Sequence, residues 1–511
     1  MSVDAPDVSA SPRLTRRLAA NTLVQAGGNG VASLIGLFTF VTVTRGLGPE
    51  AFGDFTTAMA FLFIPVVLAD VGLAFSVLRE ISASPERTQR VMSASLPLRA
   101  LISMGAVSLA VALGMAIPFS GQTREAILIG SIGSFLHLMT LSLLPAIQAQ
   151  LKMHWAVAAN VAGRVATLGL TLSFLGAGLG FRSIVAAHVI GLALTFVGHL
   201  VVVAMLISLR PFVDLGYWRS LLRGALALGL AISLSQIYFR VDTLLLALLA
   251  SSTEVGLYGA AYKFIELCAL VVSAVSVSVF PLLARFAASG DPRMRGLVQK
   301  SFDLLVALSA PLAVGMSVLA PEILLLTSGS EYVGAASALR LLAPYVLFSF
   351  VNALLIRILL ARGQDRTLLW LATSILTLNV ALNLLLIPRY GIEAAAAISV
   401  VSEICMLALA AMAVRRLGGL PGLRSVPAVA VAAGAMSGVL LAVPGPTLVV
   451  AGIGSIVYAG VLLALPGTIR ELGRGVLLSR RQRTRAAAWN AAQAGRGDQS
   501  PRTSPNESRS R

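Results

Sequence analysis

The sequence contains few charged residues for its length: of 511 residues, 12% are charged and 57% are hydrophobic. A soluble globular chain carries about 25% charged residues, so that class is excluded. Long apolar runs occupy the chain instead, and about 20 consecutive apolar residues are enough for one helix to span a bilayer. The composition therefore predicts an all-α polytopic membrane protein.

Residue types that build cofactor, metal and catalytic sites are also scarce. The two cysteines, Cys268 and Cys405, lie inside apolar segments, where disulfides are not expected because they form at oxidising aqueous faces. No Walker-type glycine loop occurs, so ATP is not expected as the direct energy source, and no Cys/His cluster indicates a metal. The short connections leave no room for a separate catalytic domain. We predict no cofactor, no metal and no enzyme activity.

Fourteen apolar segments are long enough to span the membrane as helices. They run over 18–44, 51–78, 92–117, 125–148, 155–178, 182–208, 219–250, 255–284, 297–320, 333–361, 367–387, 391–414, 425–443 and 446–466. Thirty Lys and Arg residues lie in the N-terminal head, in alternate connections and in the tail, whereas the remaining connections hold four. The connection after the second segment is predicted to hold Arg79, Arg87, Arg90 and Arg99.

This uneven distribution of basic residues sets the predicted orientation. Lys and Arg accumulate in cytoplasmic connections, so we predict a multi-pass protein of the cytoplasmic (inner) membrane with both termini cytoplasmic. The net charge of +17 then reflects topology. Binding of nucleic acid is not expected.

A weak internal repeat relates the first and seventh connections. With an offset of 203 residues, the aligned pairs are Gly53/Gly256, Phe55/Tyr258, Ala58/Ala261 and Phe61/Phe264. The two copies are separated by six predicted helices, and an even separation gives both copies the same orientation. The pattern predicts two parallel halves with a substrate site between them, as in many transporters.

The repeat and the segment count together predict six regions. These are a cytoplasmic N-terminal segment (1–17), an N-lobe of six helices (18–208), an inter-lobe linker (209–218), a C-lobe of six helices (219–414), two further helices (425–466) and a basic, disordered cytoplasmic tail (467–511).

Three stretches resemble the polysaccharide flippases of the multidrug/oligosaccharidyl-lipid/polysaccharide exporter superfamily. They are RGLGPEAFGDFTTAMAF followed by DVGLAFSVLRE, the stretch that begins YFRVDTLLL, and LNVALNLLLIPRYGIEAAAAISVVSE at 378–403. The resemblance implies movement of a polyprenyl-diphosphate-linked oligosaccharide from the cytoplasmic to the outer leaflet by alternating access. It also implies a role in cell-surface or exopolysaccharide biosynthesis. Expected partners are membrane lipids and polysaccharide polymerase or assembly proteins.

Basic residues within predicted spans are candidates for contact with such a cargo. Charges at membrane depth face a cavity or a partner, and Arg and Lys suit phosphate oxygens. Arg240 and Lys263 are the first candidates for the diphosphate, followed by Arg164, for which internal pairing with a polar neighbour is an equal alternative. Arg340 and Arg357 lie near the ends of one span, where their side chains can reach the interfaces.

Four acidic residues are candidates for tuning these cations or for binding a coupling ion. Asp242 is two residues from Arg240 and points to another helix face, whereas Glu266 is three residues from Lys263 and can contact it. The other two are Asp70, near the end of the second span, where capping or gating is an alternative, and Glu403, deep in the twelfth. A structural ion cluster that holds the seventh and eighth helices together is the rival interpretation.

Other transport functions stay open at this point. A cation-coupled multidrug exporter of the same superfamily would be expected to carry acidic residues in the first helix, and 18–44 contains none. A lipid-linked peptidoglycan precursor shares the polyprenyl diphosphate and is an alternative cargo. A membrane scaffold without transport would have no need for charges at membrane depth.

Overall fold

The computed structural model describes residues 12–70 and 72–465, and within these ranges the chain is helical with no β-strand. The helices are α1 (Pro12–Asp70), α2 (Leu73–Ala83), α3 (Thr88–Ala116), α4 (Gly121–Ala149), α5 (Met153–Gly176), α6 (Phe181–Leu206), α7 (Leu215–Leu249), α8 (Ser252–Ser289), α9 (Arg293–Val318), α10 (Ala320–Thr327), α11 (Ala336–Ala361), α12 (Asp365–Arg416), α13 (Val426–Ala442) and α14 (Thr447–Ala464). Short 3₁₀ helices cover Pro85–Arg87 and Ser330–Ala335.

Two long helices are each divided by a glycine with left-handed backbone geometry. α1 bends at Gly48, with φ 72° and ψ 171°, and α12 bends at Gly391, with φ 54° and ψ −134°. Glycine adopts positive φ without the steric cost that a Cβ would bring. Each bend separates two of the predicted spans, so α1 and α12 each supply two membrane crossings.

The predicted number of spans is confirmed for the described part of the chain. Ten helical stretches there are long and apolar enough to cross a membrane, and the two kinked helices each count once among them. Most of α7 and the 17-residue α13 supply the remaining predicted crossings. With eight residues, α10 is too short to span a bilayer.

The helices form two groups, which we call the N-lobe (α1–α6) and the C-lobe (α7–α12). In the N-lobe, α4, α5 and α6 pack on one another and on α1. In the C-lobe, α11 packs on α8, α9 and α12, and α12 packs on α7. The lobes meet mainly where α1 contacts α8 and α7, and α13 and α14 pair with each other and lie against α9.

The connection between α6 and α7 lies where the inter-lobe linker (209–218) is predicted. α6 ends at Leu206 and α7 begins at Leu215. The predicted disordered tail (467–511) and most of the predicted N-terminal segment (1–17) lie outside the described residues.

Candidate functional site

Three charged side chains from α7 and α8 come together at membrane depth. Arg240 Nη2 lies 2.9 Å from Glu266 Oε1, and Lys263 Nζ lies 2.8 Å from Glu266 Oε2. The three-residue spacing predicted the second contact, whereas the first joins neighbouring helices. All three side chains are about one-third exposed, at 35%, 29% and 30% for Arg240, Lys263 and Glu266. We call these residues the charged cluster.

The charged cluster faces the other lobe. The guanidinium of Arg240 lies over the ring of Phe63 at 5.4 Å from its centroid, and the ammonium of Lys263 lies 5.8 Å from that of Phe40. Both phenylalanines belong to α1, and such cation–π contacts attract a cation to a ring face. One carboxylate is shared between two cations, so the cluster keeps an excess positive charge at the interface between the lobes.

A cavity of about 420 Å³ adjoins the cluster inside the C-lobe. Side chains of α7, α8, α11 and α12 line it, and Phe63 of α1 closes the side that faces the N-lobe. Most of the lining is apolar, with Val272, Ile356 and Met406 as examples. Arg240 and Glu266 form part of its wall, so the cluster connects the cavity with the lobe interface.

Glu403 of α12 lies on the wall of the same cavity and is 5% exposed. Asn352 of α11 donates through Nδ2 to Glu403 Oε2 at 2.5 Å and to the backbone oxygen of Glu403 at 2.9 Å. The Tyr238 hydroxyl donates to Glu403 Oε1 at 3.4 Å. None of the ion pairs between described side chains includes Glu403.

Asp242 lies apart from the cavity, in a buried polar network between α7 and both arms of α12. Its carboxylate accepts from Asn383 Nδ2 at 2.9 Å and from Ser399 Oγ at 2.6 Å. Asn379 donates to Ser402 at 3.3 Å. The two-residue spacing therefore sends Arg240 and Asp242 to different faces, as predicted.

Arg164 of α5 belongs to the N-lobe and is not part of the charged cluster. A Cβ built on Gly36 would lie 3.0 Å from Arg164 Nη1, which places the guanidinium alongside the first arm of α1. Among the described side chains, Arg164 forms no ion pair. It is therefore a third cation on a membrane helix, exposed and carried by the opposite lobe.

The placement of Arg99 in a connection was wrong. Arg99 lies within α3, is 3% exposed, and donates from Nη1 to Asp70 Oδ1 at 2.6 Å and from Nε to Ser142 Oγ at 2.8 Å. Arg99 already falls within the predicted segment 92–117, and α3, which begins at Thr88, carries it into the bundle, where its charge is paired. Asp70 is consequently half of an ion pair within the N-lobe.

Sequence reasoning did not identify Asp54, which joins the lobes at the end of the molecule where α1 bends. Its Oδ1 accepts from Ser120 and Thr123 of the N-lobe at 2.7 and 2.8 Å, and from Ser252 of α8 at 2.7 Å. We call this end of the molecule, with residues 44–54, 251–256 and 325–332, the kink end. The position of Asp54 directly after the repeated Gly53 was the available signal.

Further contacts between the lobes lie at the kink end. Arg45 donates from Nη2 to the Leu326 carbonyl at 2.7 Å and from Nε to the Thr327 carbonyl at 3.2 Å. The buried Tyr332 hydroxyl donates to the Thr44 carbonyl at 3.2 Å. The lobes are thus joined by hydrogen bonds at this end.

The helices form a multi-pass membrane protein of two lobes with charges between them, and this fold is shared with solved structures of a flippase and of a multidrug transporter. The sequence profile described as "Polysaccharide biosynthesis protein" matches residues 18–287, more than half of the chain. The chain belongs to this family. The MatE profile matches residues 227–386. The protein is a transporter and not an enzyme.

Two similar proteins come from Haloferax volcanii. The probable low-salt glycan biosynthesis flippase Agl15 is 22% identical over 365 residues, which cover 70% of this chain and 75% of that protein. The probable flippase AglR is 27% identical over 246 residues, which cover 46% of this chain and 52% of that protein.

Solved structures show the same fold at low identity. The lipid II flippase MurJ in its inward closed conformation has a TM-score of 0.75 at 15% identity, over 86% of this chain and 98% of that one. An inward-facing multidrug resistance MATE family transporter has a TM-score of 0.63 at 16% identity, over 76% and 95% of the two chains.

Proposed function

We propose that the protein is a flippase that moves a polyprenyl-diphosphate-linked oligosaccharide across the cytoplasmic membrane for cell-surface or exopolysaccharide biosynthesis. The observation that carries the proposal is the charged cluster: two cations share one carboxylate at the interface of two lobes. Membership of the polysaccharide biosynthesis family and the names of the Haloferax relatives support the same cargo class.

In this proposal the diphosphate binds at the excess positive charge of the cluster. Arg240 offers a forked pair of donors that matches phosphate oxygens, and Lys263 supplies a point charge. Glu266 keeps both cations in place before the cargo arrives and gives up part of its contact when phosphate oxygens replace its own. Arg164 provides a cation on the N-lobe side, so both lobes hold the anionic head.

Movement between the leaflets follows from rocking of the lobes. The hydrogen bonds at the kink end hold that end closed, and cargo crosses when they break. At the opposite end, α7 is bonded to the N-lobe through Tyr217 and Trp218. The excess of basic residues on the other side supports cytoplasmic termini and places the kink end at the outer face. Membrane lipids and polysaccharide polymerase or assembly proteins are the proposed partners.

Asp242 and Glu403 are the proposed residues for charge tuning or ion coupling. Both are buried carboxyls held by neutral donors, whereas Glu266 is already paired with cations. For Asp70 the proposed role is structural or gating, because its carboxylate is paired with Arg99.

The test is deletion of the gene, followed by complementation with variants. Deletion is expected to trap lipid-linked saccharide on the cytoplasmic leaflet and to reduce surface glycan. Arg240→Ala and Lys263→Ala should each lower glycan export about tenfold or more at unchanged membrane abundance, since a hydrogen bond to a charged group contributes about 1.5–3 kcal/mol.

The matched control is Arg340→Ala, which removes an exposed arginine of a membrane helix outside the cluster and should leave export intact. Normal glycan together with raised drug sensitivity in the deletion strain would favour the multidrug exporter. Accumulation of a peptidoglycan precursor would favour that cargo. Loss of abundance in the Arg240 and Lys263 variants would show that the cluster is structural.

A further inference from the structure

The chemistry around Glu403 is not accounted for by binding of an anionic cargo. Glu403 and Asn352 are 5% and 3% exposed, and both line the 420 Å³ cavity. A buried carboxylate without a paired cation is costly, because burial removes the water that stabilises its charge. The nearest cation on the cavity wall, Arg240, is already bound to Glu266.

The hydrogen bonds of Asn352 fix how its side chain is oriented. Its Nδ2 donates both to a carboxylate oxygen and to the backbone carbonyl of Glu403, and only the amino end of an amide can satisfy two acceptors. The other end, Oδ1, is buried and has no hydrogen-bond partner among the described residues. One acceptor of the site, Asn352 Oδ1, therefore has no donor among the described residues.

We infer that Glu403 and Asn352 form a proton-binding site in the C-lobe. One proton on the carboxyl removes the buried charge and supplies the missing O–H donor for the acceptors around it. The proton is taken from water and returns to water, and no bond between heavy atoms changes. The coupling role of this site rests on the proposed transport function, whereas proton binding itself does not.

A metal cation fits the site less well than a proton. Hard cations such as Ca²⁺ take about six to eight oxygen ligands, whereas Glu403 is approached by two tyrosine hydroxyls and by the N–H of Asn352. An N–H donor directed at the carboxylate occupies the position of a metal ion. Within the described residues, no group of three or more His, Cys, Asp or Glu side chains could hold a metal.

Helices α7, α8 and α11 contribute titratable or charged groups around the site, and no described cation pairs with Glu403. They are Tyr238 and Arg240 on α7, with Asp242 on its other face, Tyr262, Glu266 and Cys268 on α8, and Tyr345 on α11. The tyrosines and the cysteine are neutral. Arg240 and Lys263 of α8 both pair with Glu266 in the charged cluster, and both lie over phenylalanine rings of α1, so neither pairs with Glu403.

Infrared difference spectroscopy of the purified full-length protein between acidic and alkaline buffer tests the proposal without any cargo. The wild-type protein should show the carbonyl band of a protonated carboxylic acid that appears on acidification and shifts in D₂O. Glu403→Gln should lose the component of this band that Glu403 contributes among the 22 acidic residues. The glutamine amide preserves the fold because it reproduces the donor and acceptor of the protonated acid.

Two further variants assign the band. Asp242→Asn, which alters another buried carboxyl of the C-lobe, should retain it. Asn352→Ala should shift the frequency of the carbonyl band without removing the band, because a hydrogen-bond partner of the acid is lost. If Glu403→Gln does not fold, this shift shows whether Glu403 is the protonated acid. Absence of the band in the wild-type protein, or its persistence unchanged in Glu403→Gln or in Asn352→Ala, would overturn the proposal. Failure of glycan export in cells would leave these spectra unaffected.

Discussion

Gly53 and Gly256, the aligned glycines of the two halves, lie back to back across the interface between the lobes. A Cβ on Gly53 would lie 1.7 Å from the Ser252 carbonyl oxygen, and a Cβ on Gly256 would lie 1.9 Å from that of Pro49. The repeat noticed in the sequence is therefore a contact surface, in which each half presents its glycine to the other. Any larger residue must separate the lobes at the kink end.

Gly53→Ala and Gly256→Ala should each shift the protein away from the conformation with a closed kink end. Overpacking costs about 1–3 kcal/mol, which corresponds to a change of about 5- to 150-fold in a two-state population. The measurement is the distance between spin labels placed on the two lobes at this end.

Gly105→Ala on α3 is the control, because no atom lies within 4 Å of a Cβ at that position. Its distance distribution should match that of the wild-type protein. An unchanged distribution in both interface variants would show that the backbones yield without opening of the lobes, which would contradict the prediction.

The hydroxyls bound to Asp54 allow contacts between the lobes to be separated from contacts within one lobe. Ser252→Ala removes the donor from the C-lobe, and opening of the kink end should increase about 10-fold or more, since a hydrogen bond to a charged group contributes about 1.5–3 kcal/mol. The same spin-label distances measure the effect.

Ser120→Ala is the matched variant, because it removes a donor to the same oxygen from within the N-lobe. Ser120 also caps α4 by accepting from the Thr123 amide, so this variant should lower thermal stability by about 1 kcal/mol without opening the kink end. Equal opening in the two variants would argue against a specific role for the Ser252 bond.

Local patterns in the sequence predicted those parts of the structure that local physics determines. Apolar length located the fourteen spans, and the three-residue spacing predicted the contact of Lys263 with Glu266. Gly48, with positive φ, lies in the connection between two predicted spans, and Gly391 is the first residue of a predicted span.

Contacts between distant segments could not be predicted in the same way. The choice of Glu266 as partner for Arg240, and of Asp54 for Ser252, depends on how helices far apart in the chain are placed. Charge alone does not indicate exposure: Arg99, predicted in a connection, donates to Asp70 and Ser142 inside the bundle. A single sequence carries no signal for such pairings.

The ion pair of Asp70 and Arg99 predicts an unequal response to removal of its two partners. Arg99 has a side-chain exposure of 4% and that of Asp70 is 31%, and arginine stays charged when it loses its partner. Asp70→Ala should therefore destabilise the protein by about 3–5 kcal/mol, in the range measured when one partner of a buried pair is removed. Arg99→Met should cost less, because water can reach the carboxylate that remains. Thermal unfolding in detergent, followed by fluorescence-detected size exclusion, measures the stability of both variants.

Arg182→Ala is the control, because it breaks the exposed pair with Glu125, whose side chains are 74% and 39% exposed for Arg182 and Glu125. It should change the unfolding midpoint little. If Arg99→Met proved as damaging as Asp70→Ala, burial of the arginine would not be the cause.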